Sequence, residues 1–469
     1  MAVIRPSPTP SDLLAVLRAM GTSTAHDLRA RLGDVRQPTF SRLVRATGGE
    51  VLRLGARRNA RYAALRPLLG LGARWPVVTV NEEGATAPLG EIATIEPRGC
   101  AMLSEREMPA WMLGVGGDGL FDGLPVICTD LRPQGFLGRA SVASLHGALD
   151  LPARLDDWRD HHVLSYLIRA GYDCPGNLII GEQAYAAFAR RQLEDATLID
   201  ERDRQVRYGQ LADSILTGAA PGSSAGGEQP KFTAMLRRPP QGCSVLVKFS
   251  PSLGTPAGER WADLLACEHL AHGVLAAERI PSATSQIIDG PSRRFLEVER
   301  FDRIGLHGRR AIVSLLALDL EYEGELDTWP KAATRLVARG WLSASDAETL
   351  TFLWLFGGFI ANTDRHFGNV SLLPGPSGMT IAPIYDMLPM LYAPVGPDMP
   401  ERTYEVPVPL SAAAHVYGRA GRAAHAFWQQ VEASPLVSRG FRGLAGARAL
   451  DTARALERLG LPMNSALTQ

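Results

Sequence analysis

From Ala347 to Ala361 the sequence places apolar side chains on every side of a helical turn: Leu350, Phe352, Leu353, Trp354, Leu355, Phe356, Phe359 and Ile360. A helix without a polar face has to be buried. The longest apolar stretch, Leu350–Ala361, is about 12 residues and holds two glycines, which is too short to span a bilayer. The chain must therefore wrap this helix in a globular core. Its composition permits that: 469 residues, 46% hydrophobic and 21% charged, are enough for roughly two to four domains. Disordered, collagen-like and coiled-coil architectures are excluded.

The buried helix delivers a polar loop, Asn362-Thr-Asp364-Arg-His366-Phe-Gly-Asn369. A strand (Val370–Leu373), a PGPSG turn, a second strand (Met379–Ala382) and Pro383-Ile-Tyr-Asp386 follow. Asp-x-x-x-x-Asn, then a hairpin, then another Asp is the order of a phosphoryl-transfer loop and its metal aspartate. Charge assigns the roles. Asp364 accepts or orients a hydroxyl proton. Asn369 and Asp386 offer the oxygen ligands that Mg²⁺ prefers. His366 orients the loop.

Only three of the 49 basic residues are lysine: Lys231, Lys248 and Lys331. Lys248 lies in Cys243–Ser250, which alternates as a strand, with Val245, Val247 and Phe249 on one face and Lys248 on the other. In a chain that otherwise uses arginine, a strand lysine suits a compact ammonium reaching phosphates and a carboxylate. Glu268, in the following helix, is the first candidate for that carboxylate, and Glu259 is the alternative. Lys231 ends a run of small residues, GSSAGGEQPK from Gly222, whose backbone N–H groups could approach an anion closely. Lys331 reads as ordinary surface.

The formal charge is zero, but residues 1–75 carry 13 Arg and no Lys against four acids, a surplus of +9, so the remainder is −9. That arginine-rich segment predicts three helices. The first is Ser11–Met20 with Ser11 as N-cap, the second starts at Ser23/Thr24, and the third opens at Gln37-Pro38. A hairpin of Glu50–Leu54 and Ala60–Ala64 follows. This is the outline of a winged helix-turn-helix, residues 1–75. Its third helix would present Thr39, Ser41, Arg42 and Arg45, and its hairpin tip Arg57, Arg58 and Arg61, to double-stranded DNA. The positive charge supports that reading, because binding strengthens with each phosphate neutralised. A homodimer on two half-sites would suit such a module, although no dimerisation helix is evident.

Trp75-Pro76 reads as a boundary. Residues 76–150 then form a small β-rich subdomain, with Asp130–Gly135 as a turn, and a helix follows around Asp156–Ala170. No reactive constellation is evident there. Five scattered cysteines without a CxxC pattern argue against disulfides or zinc and for a reducing cytoplasm. The N-terminus has no apolar signal region, so no secretory leader and no membrane are expected. The segment Ser411–Leu459 reads as amphipathic helices.

Taken together, these motifs resemble the HipA-like serine/threonine kinases, toxins of bacterial toxin–antitoxin systems, and most closely the YjjJ-type branch, in which a helix-turn-helix precedes the kinase. Ser224-Ala225-Gly226-Gly227-Glu228-Gln229-Pro-Lys231 is similar to the family's nucleotide loop. Lys248 matches its strand lysine, Glu299-Arg300-Phe301-Asp-Arg303 its hinge segment, and Asn362–Asn369 its catalytic loop. Ala382–Asp386 matches the metal-binding segment and Asp173-Cys-Pro-Gly176 a further signature. The resemblance covers about residues 80 to 430. It implies an α+β chain with a two-lobed protein-kinase-like domain: an N-lobe at 151–305 and a mainly helical C-lobe at 306–469. It also implies ATP and Mg²⁺, a hinge at Glu299–Phe301 against adenine, autophosphorylation at Ser224, and a protein substrate, an aminoacyl-tRNA synthetase in known relatives. In the usual arrangement DNA binding belongs to a separate antitoxin, so the N-terminal 75 residues depart from it. A small-molecule phosphotransferase and a nucleotide-sensing regulator are the alternative readings.

Overall fold

The first helix, Pro10–Met20, is capped by Thr9 and not by the expected Ser11. Thr9 and Asp12 exchange bonds: the Thr9 hydroxyl accepts from the Asp12 amide at 3.3 Å, and the Asp12 carboxylate accepts from the Thr9 amide at 2.7 Å. That reciprocal pair satisfies two amides that Ser11 would have left open. The computed structural model describes residues 7–55, 60–194, 196–218, 229–239, 241–409 and 414–461 of a mixed α+β chain.

Helices Ala25–Arg31 and Gln37–Ala46 follow, with strands Ser23–Thr24, Val51–Leu54 and Arg61–Ala64. The strands form one antiparallel sheet with Arg61–Ala64 in the centre. Leu13, Leu17, Leu28 and Phe40 are fully buried between helices and sheet, and Phe40 meets Tyr62 edge-on at 5.1 Å. The hairpin is apolar on both sides. Leu52, Leu54 and Ala63 pack against Ala93, Ile95 and Ala101 of the next sheet. Trp75 and Pro76, read as a boundary, both lie inside the strand Arg74–Val80, and Trp75 is buried.

That next sheet has five antiparallel strands in the order Leu120–Phe121, Cys100–Leu103, Thr86–Thr94, Arg74–Val80 and Leu178–Ile180. Its last strand comes from beyond residue 150, where the β-rich region was expected to end. The chain between supplies helices Gly135–Leu145 and Asp160–Ala170. Asp130 belongs to a helical turn, Ile127–Leu131, and not to the expected Asp130–Gly135 turn. Its carboxylate accepts from the Ser314 amide (2.7 Å) and hydroxyl (2.5 Å), joining this region to the C-terminal half.

A second antiparallel sheet runs Ser285–Asp289, Arg294–Glu299, Cys243–Phe249, Lys231–Leu236. Strand alternation decides what covers each face. Val245, Val247 and Phe249 are fully buried together with Tyr208 of the helix Arg204–Gly218. The opposite face, with Leu296 and Val298, packs on Leu265 of the 22-residue helix Pro256–Ala277.

The rest is mainly helical. The apolar helix spans Ala344–Phe359, capped by Ser343, and is surrounded by Leu315–Tyr322, Trp329–Ala338, Ala414–Ala433 and Arg439–Arg458. It ends two residues before the expected Ala361, which instead takes a left-handed conformation at φ 60° and turns the chain into the polar loop. Trp354 escapes full burial and lies under the Arg365 guanidinium at 4.2 Å. The five cysteines are free. No helix among the described residues is long and apolar enough to cross a membrane.

Candidate active site

Lys248 is 4% exposed, at the point where the four-stranded sheet meets the helix Pro256–Ala277. Its ammonium donates to both Glu268 oxygens, at 2.6 and 2.8 Å, and to Asp386. The Glu268 Oε1 also accepts from the Asp386 backbone amide at 3.1 Å. One fully buried glutamate thus fixes both the lysine and the backbone of the metal-type aspartate. Glu259, the alternative partner, is exposed in the first turn of the same helix. Burial by itself would lower the Lys248 pKa, but Asp386 and Glu268 outweigh it and hold the ammonium well above its ordinary value. For Asp386, burial would raise the carboxyl, but Lys248 and Lys231 outweigh it and keep it well below the usual range.

The polar loop is held by its own side chains. Asn362 accepts from the Asp364 amide at 2.9 Å and donates to the Asp386 carbonyl at 3.3 Å. Asn369 donates through its Nδ2 to the Asp364 carbonyl at 2.7 Å. His366 accepts from the Gly368 amide at 3.0 Å, and its Nε2 lies 3.9 Å from Asp364 Oδ1. From below, Tyr385 donates to the Gly368 carbonyl at 3.0 Å. Asp364 itself stays half exposed, and among the described residues no cation lies closer to its carboxylate than His366, so it is open toward an incoming hydroxyl. Asp386 has φ 54°, a left-handed conformation that turns its side chain back toward Lys248.

Lys231 pairs in register with Lys248 on the neighbouring strand, which puts two lysines on one face of the sheet above Asp386. Gln229 reaches the Phe249 carbonyl at 3.4 Å. Ser224, Ala225, Gly226, Gly227 and Glu228 lie outside the described residues, as do Arg57 and Arg58. The side chains of the expected hinge have partners within the protein. Glu299 pairs with Arg238, Arg300 with Asp302 at 2.8 Å, and Phe301 stacks on Tyr385 at 5.9 Å. In the N-terminal module, Arg42 and Arg45 are exposed on the helix Gln37–Ala46, and Thr39 and Ser41 are partly so. Arg61 faces Asp118 at 3.6 Å.

The sequence reading missed a buried charge cluster behind the hinge. Asp302 accepts from Arg300, from Arg303 (2.7 Å) and from the Gly176 amide (3.0 Å). Arg303 in turn donates to Asp173 (3.1 Å) and to the carbonyls of Cys174 (2.7 Å) and Gly176 (3.0 Å). Burial would raise the Asp302 carboxyl, yet Arg300 and Arg303 hold it far below the ordinary range. The signal was present: Asp173–Gly176 and Glu299–Arg303 are both dense in charges or turn residues, and here they meet.

Residues 71–189 match the family described as "YjjJ-like toxin, middle domain", and residues 223–456 match "HipA-like C-terminal domain". The toxin YjjJ of Escherichia coli (strain K12) is 37% identical over 434 residues, 92% of this chain and 95% of that protein. Among solved structures, HipA of Shewanella oneidensis MR-1, determined with HipB and operator DNA, superposes with a TM-score of 0.53 at 15% identity. The match covers 80% of this chain and 96% of that one. A proinflammatory kinase of Helicobacter pylori, CtkA, overlaps only loosely, at a TM-score of 0.34. The fold is thus that of HipA-type proteins. The chain belongs to the HipA-like toxin family, on its YjjJ-like branch.

Proposed function

We propose that this protein is an ATP-dependent serine/threonine protein kinase of the toxin type, carrying its own DNA-binding module. The observation that carries the reading is the convergence of Lys248, Glu268 and Asp386 beside a loop that presents Asp364. The four-stranded sheet with Pro256–Ala277 then acts as the N-lobe and the helical region as the C-lobe, with ATP between them. Lys231 and Lys248 neutralise its phosphates. The substrate hydroxyl attacks the γ-phosphorus, the bond to the β-phosphate oxygen breaks, ADP departs, and the hydroxyl proton passes to Asp364. Asp386 and Asn369 are hard oxygen donors, a set that suits Mg²⁺ because this ion takes few protein ligands alongside phosphates and water. When bound, the ion offsets charge on the transferred phosphoryl group. His366 and Asn362 hold Asp364 in place.

Ser224 is the proposed autophosphorylation site, and an aminoacyl-tRNA synthetase is one candidate target. In cells the enzyme would act in the cytoplasm. The three helices and small sheet at the N-terminus support a winged helix-turn-helix, with Thr39, Ser41, Arg42 and Arg45 toward DNA, for repression of its own promoter or for tethering the kinase. The solved HipA relative was captured together with HipB and operator DNA, an assembly in which a second protein accompanies the kinase-like chain on DNA. The test is phosphate incorporation into lysate proteins from radiolabelled ATP. Asp364→Ala should remove it while ATP binding survives, and equal incorporation by the two proteins would refute the kinase assignment. Separately, unchanged operator retention after deletion of residues 1–75 would refute the DNA assignment.

A further inference from the structure

A third side chain stands behind the Lys248–Glu268 pair. His272 lies one helical turn after Glu268 on Pro256–Ala277, so the two share a face. It is 4% exposed, and its Nε2 is 3.9 Å from Glu268 Oε1. That nitrogen is buried and has no hydrogen-bond partner among the described residues. The other ring nitrogen is engaged. Nδ1 lies 2.9 Å from the Ser285 hydroxyl, and the same hydroxyl lies 3.0 Å from Nδ1 of His269. We propose that His272 is a positioning residue: its Nε2–H backs Glu268 and keeps that carboxylate in place when Lys248 turns one of its N–H groups to an ATP phosphate. The inference rests on the kinase reading and adds a residue to it.

An ammonium has three N–H groups. All three of Lys248 are in use, two on the Glu268 oxygens and one on Asp386. A phosphate oxygen must therefore take its hydrogen bond from a carboxylate. Glu268 is fully buried, and burial pushes its carboxyl up, so it stays ionised only if a lost donor is replaced. The Asp386 amide is already bonded to Oε1 at 3.1 Å. The unpartnered His272 nitrogen is the spare donor on the same oxygen's side.

The hydrogens can be placed by the same bookkeeping. Burial, with Lys248 nearby, lowers the His272 pKa to about 3, so the ring is neutral and carries one N–H. A lone pair on Nε2 would face the Glu268 carboxylate and be repelled, so the hydrogen sits on Nε2. Nδ1 is then an acceptor, and the Ser285 O–H donates to it. Ser285 has a single hydrogen, so its oxygen accepts from His269, whose hydrogen must sit on Nδ1. His269, Ser285, His272 and Glu268 thus form one directed series of donors. Ser285 opens the edge strand of the sheet that carries Lys248, whereas His269 and His272 belong to the helix that carries Glu268. The series ties the two elements together beside the pair they form.

The test uses the full-length protein. A glutamine places its Nε2 where the histidine Nε2 stands, and an asparagine places its polar atoms only as far out as Nδ1. His272→Asn should therefore raise KM for ATP about tenfold while kcat changes much less, and His272→Gln should restore most of that loss. The reverse order, with Asn intact and Gln impaired, overturns the proposal, because His272 would then serve Ser285 alone. So do equal KM values for the two variants, and so does a fall in kcat at unchanged KM, the sign of a smaller folded fraction. Should neither variant fold, the wild type still decides. Nitrogen-15 NMR of its histidine rings should show His272 protonated on Nε2 and His269 on Nδ1, and a hydrogen on Nδ1 of His272 overturns the proposal. Failure of the kinase reading would show differently: the wild type would transfer no Asp364-dependent phosphate, while both tautomers would stay as stated.

Discussion

The cleft around Lys248 and the N-terminal module both depend on basic side chains, and they hold them in opposite ways. In the cleft, Lys248 is almost fully buried and clamped by Glu268 and Asp386. In the module, Arg42 and Arg45 stand in solvent on one helix. A buried charge interacts strongly and at one geometry, because little water screens it. An exposed arginine is screened and interchangeable with its neighbours. The cleft should therefore fail at single substitutions, and the module should weaken by degrees.

The sharpest way to break that contrast is at Asp364. Its change to Ala should lower the phosphate-transfer rate by about 10²–10⁴, the usual contribution of a positioned base, in a single-turnover assay with labelled ATP. A loss below about tenfold would mean the cleft is no more cooperative than the surface.

Removing a buried partner comes next. Asp302→Ala removes the carboxylate partner of Arg300 and one of the two of Arg303, which keeps Asp173, so urea unfolding should show a loss of about 3–5 kcal/mol. The same carboxyl gives a pH signature. Its native pKa is depressed, so its stabilisation is complete above the ordinary carboxylate range and is lost as pH falls through the depressed native value. The unfolding midpoint of the wild type should therefore fall in acid more steeply than that of Asp302→Ala.

On the surface the effect should be graded. Arg42→Ala and Arg45→Ala should each weaken operator binding in a gel shift and reduce the slope of log affinity against log salt by about 0.9. All-or-none loss from either one would erase the distinction between the two regions. Smallest of all, Thr9→Ala should cost about 1 kcal/mol in the first helix, read as earlier thermal melting of the module, while Ser11→Ala should cost less.

Much of the site was legible because it is encoded locally. The loop Asn362–Asn369, the strand lysine and the helix that delivers the loop follow from spacing and period, and the three N-terminal helices follow from caps and apolar stripes. What spacing could not reach was pairing over long distances. Asp130 looked like part of a turn, but its partner is Ser314. Arg300 was expected beside a nucleotide, and no local pattern announced that its side chain answers Asp302 beside Gly176. Trp75-Pro76 read as a boundary, and nothing local shows that the hairpin before it is apolar on both sides and packs against the next sheet.

The two glutamates show the division most plainly. The sequence by itself determined that two carboxylates lie in the helix after Lys248, Glu259 and Glu268, and offered both as candidate partners for it. These are nine residues apart, which at about 100° per residue puts them on opposite faces of one helix. Only one could look at the sheet, and the packing of Leu265 against Leu296 and Val298 turned Glu268 inward. Residue types and periods are properties of the chain, whereas the face a helix turns to its neighbour is settled by which apolar surfaces meet.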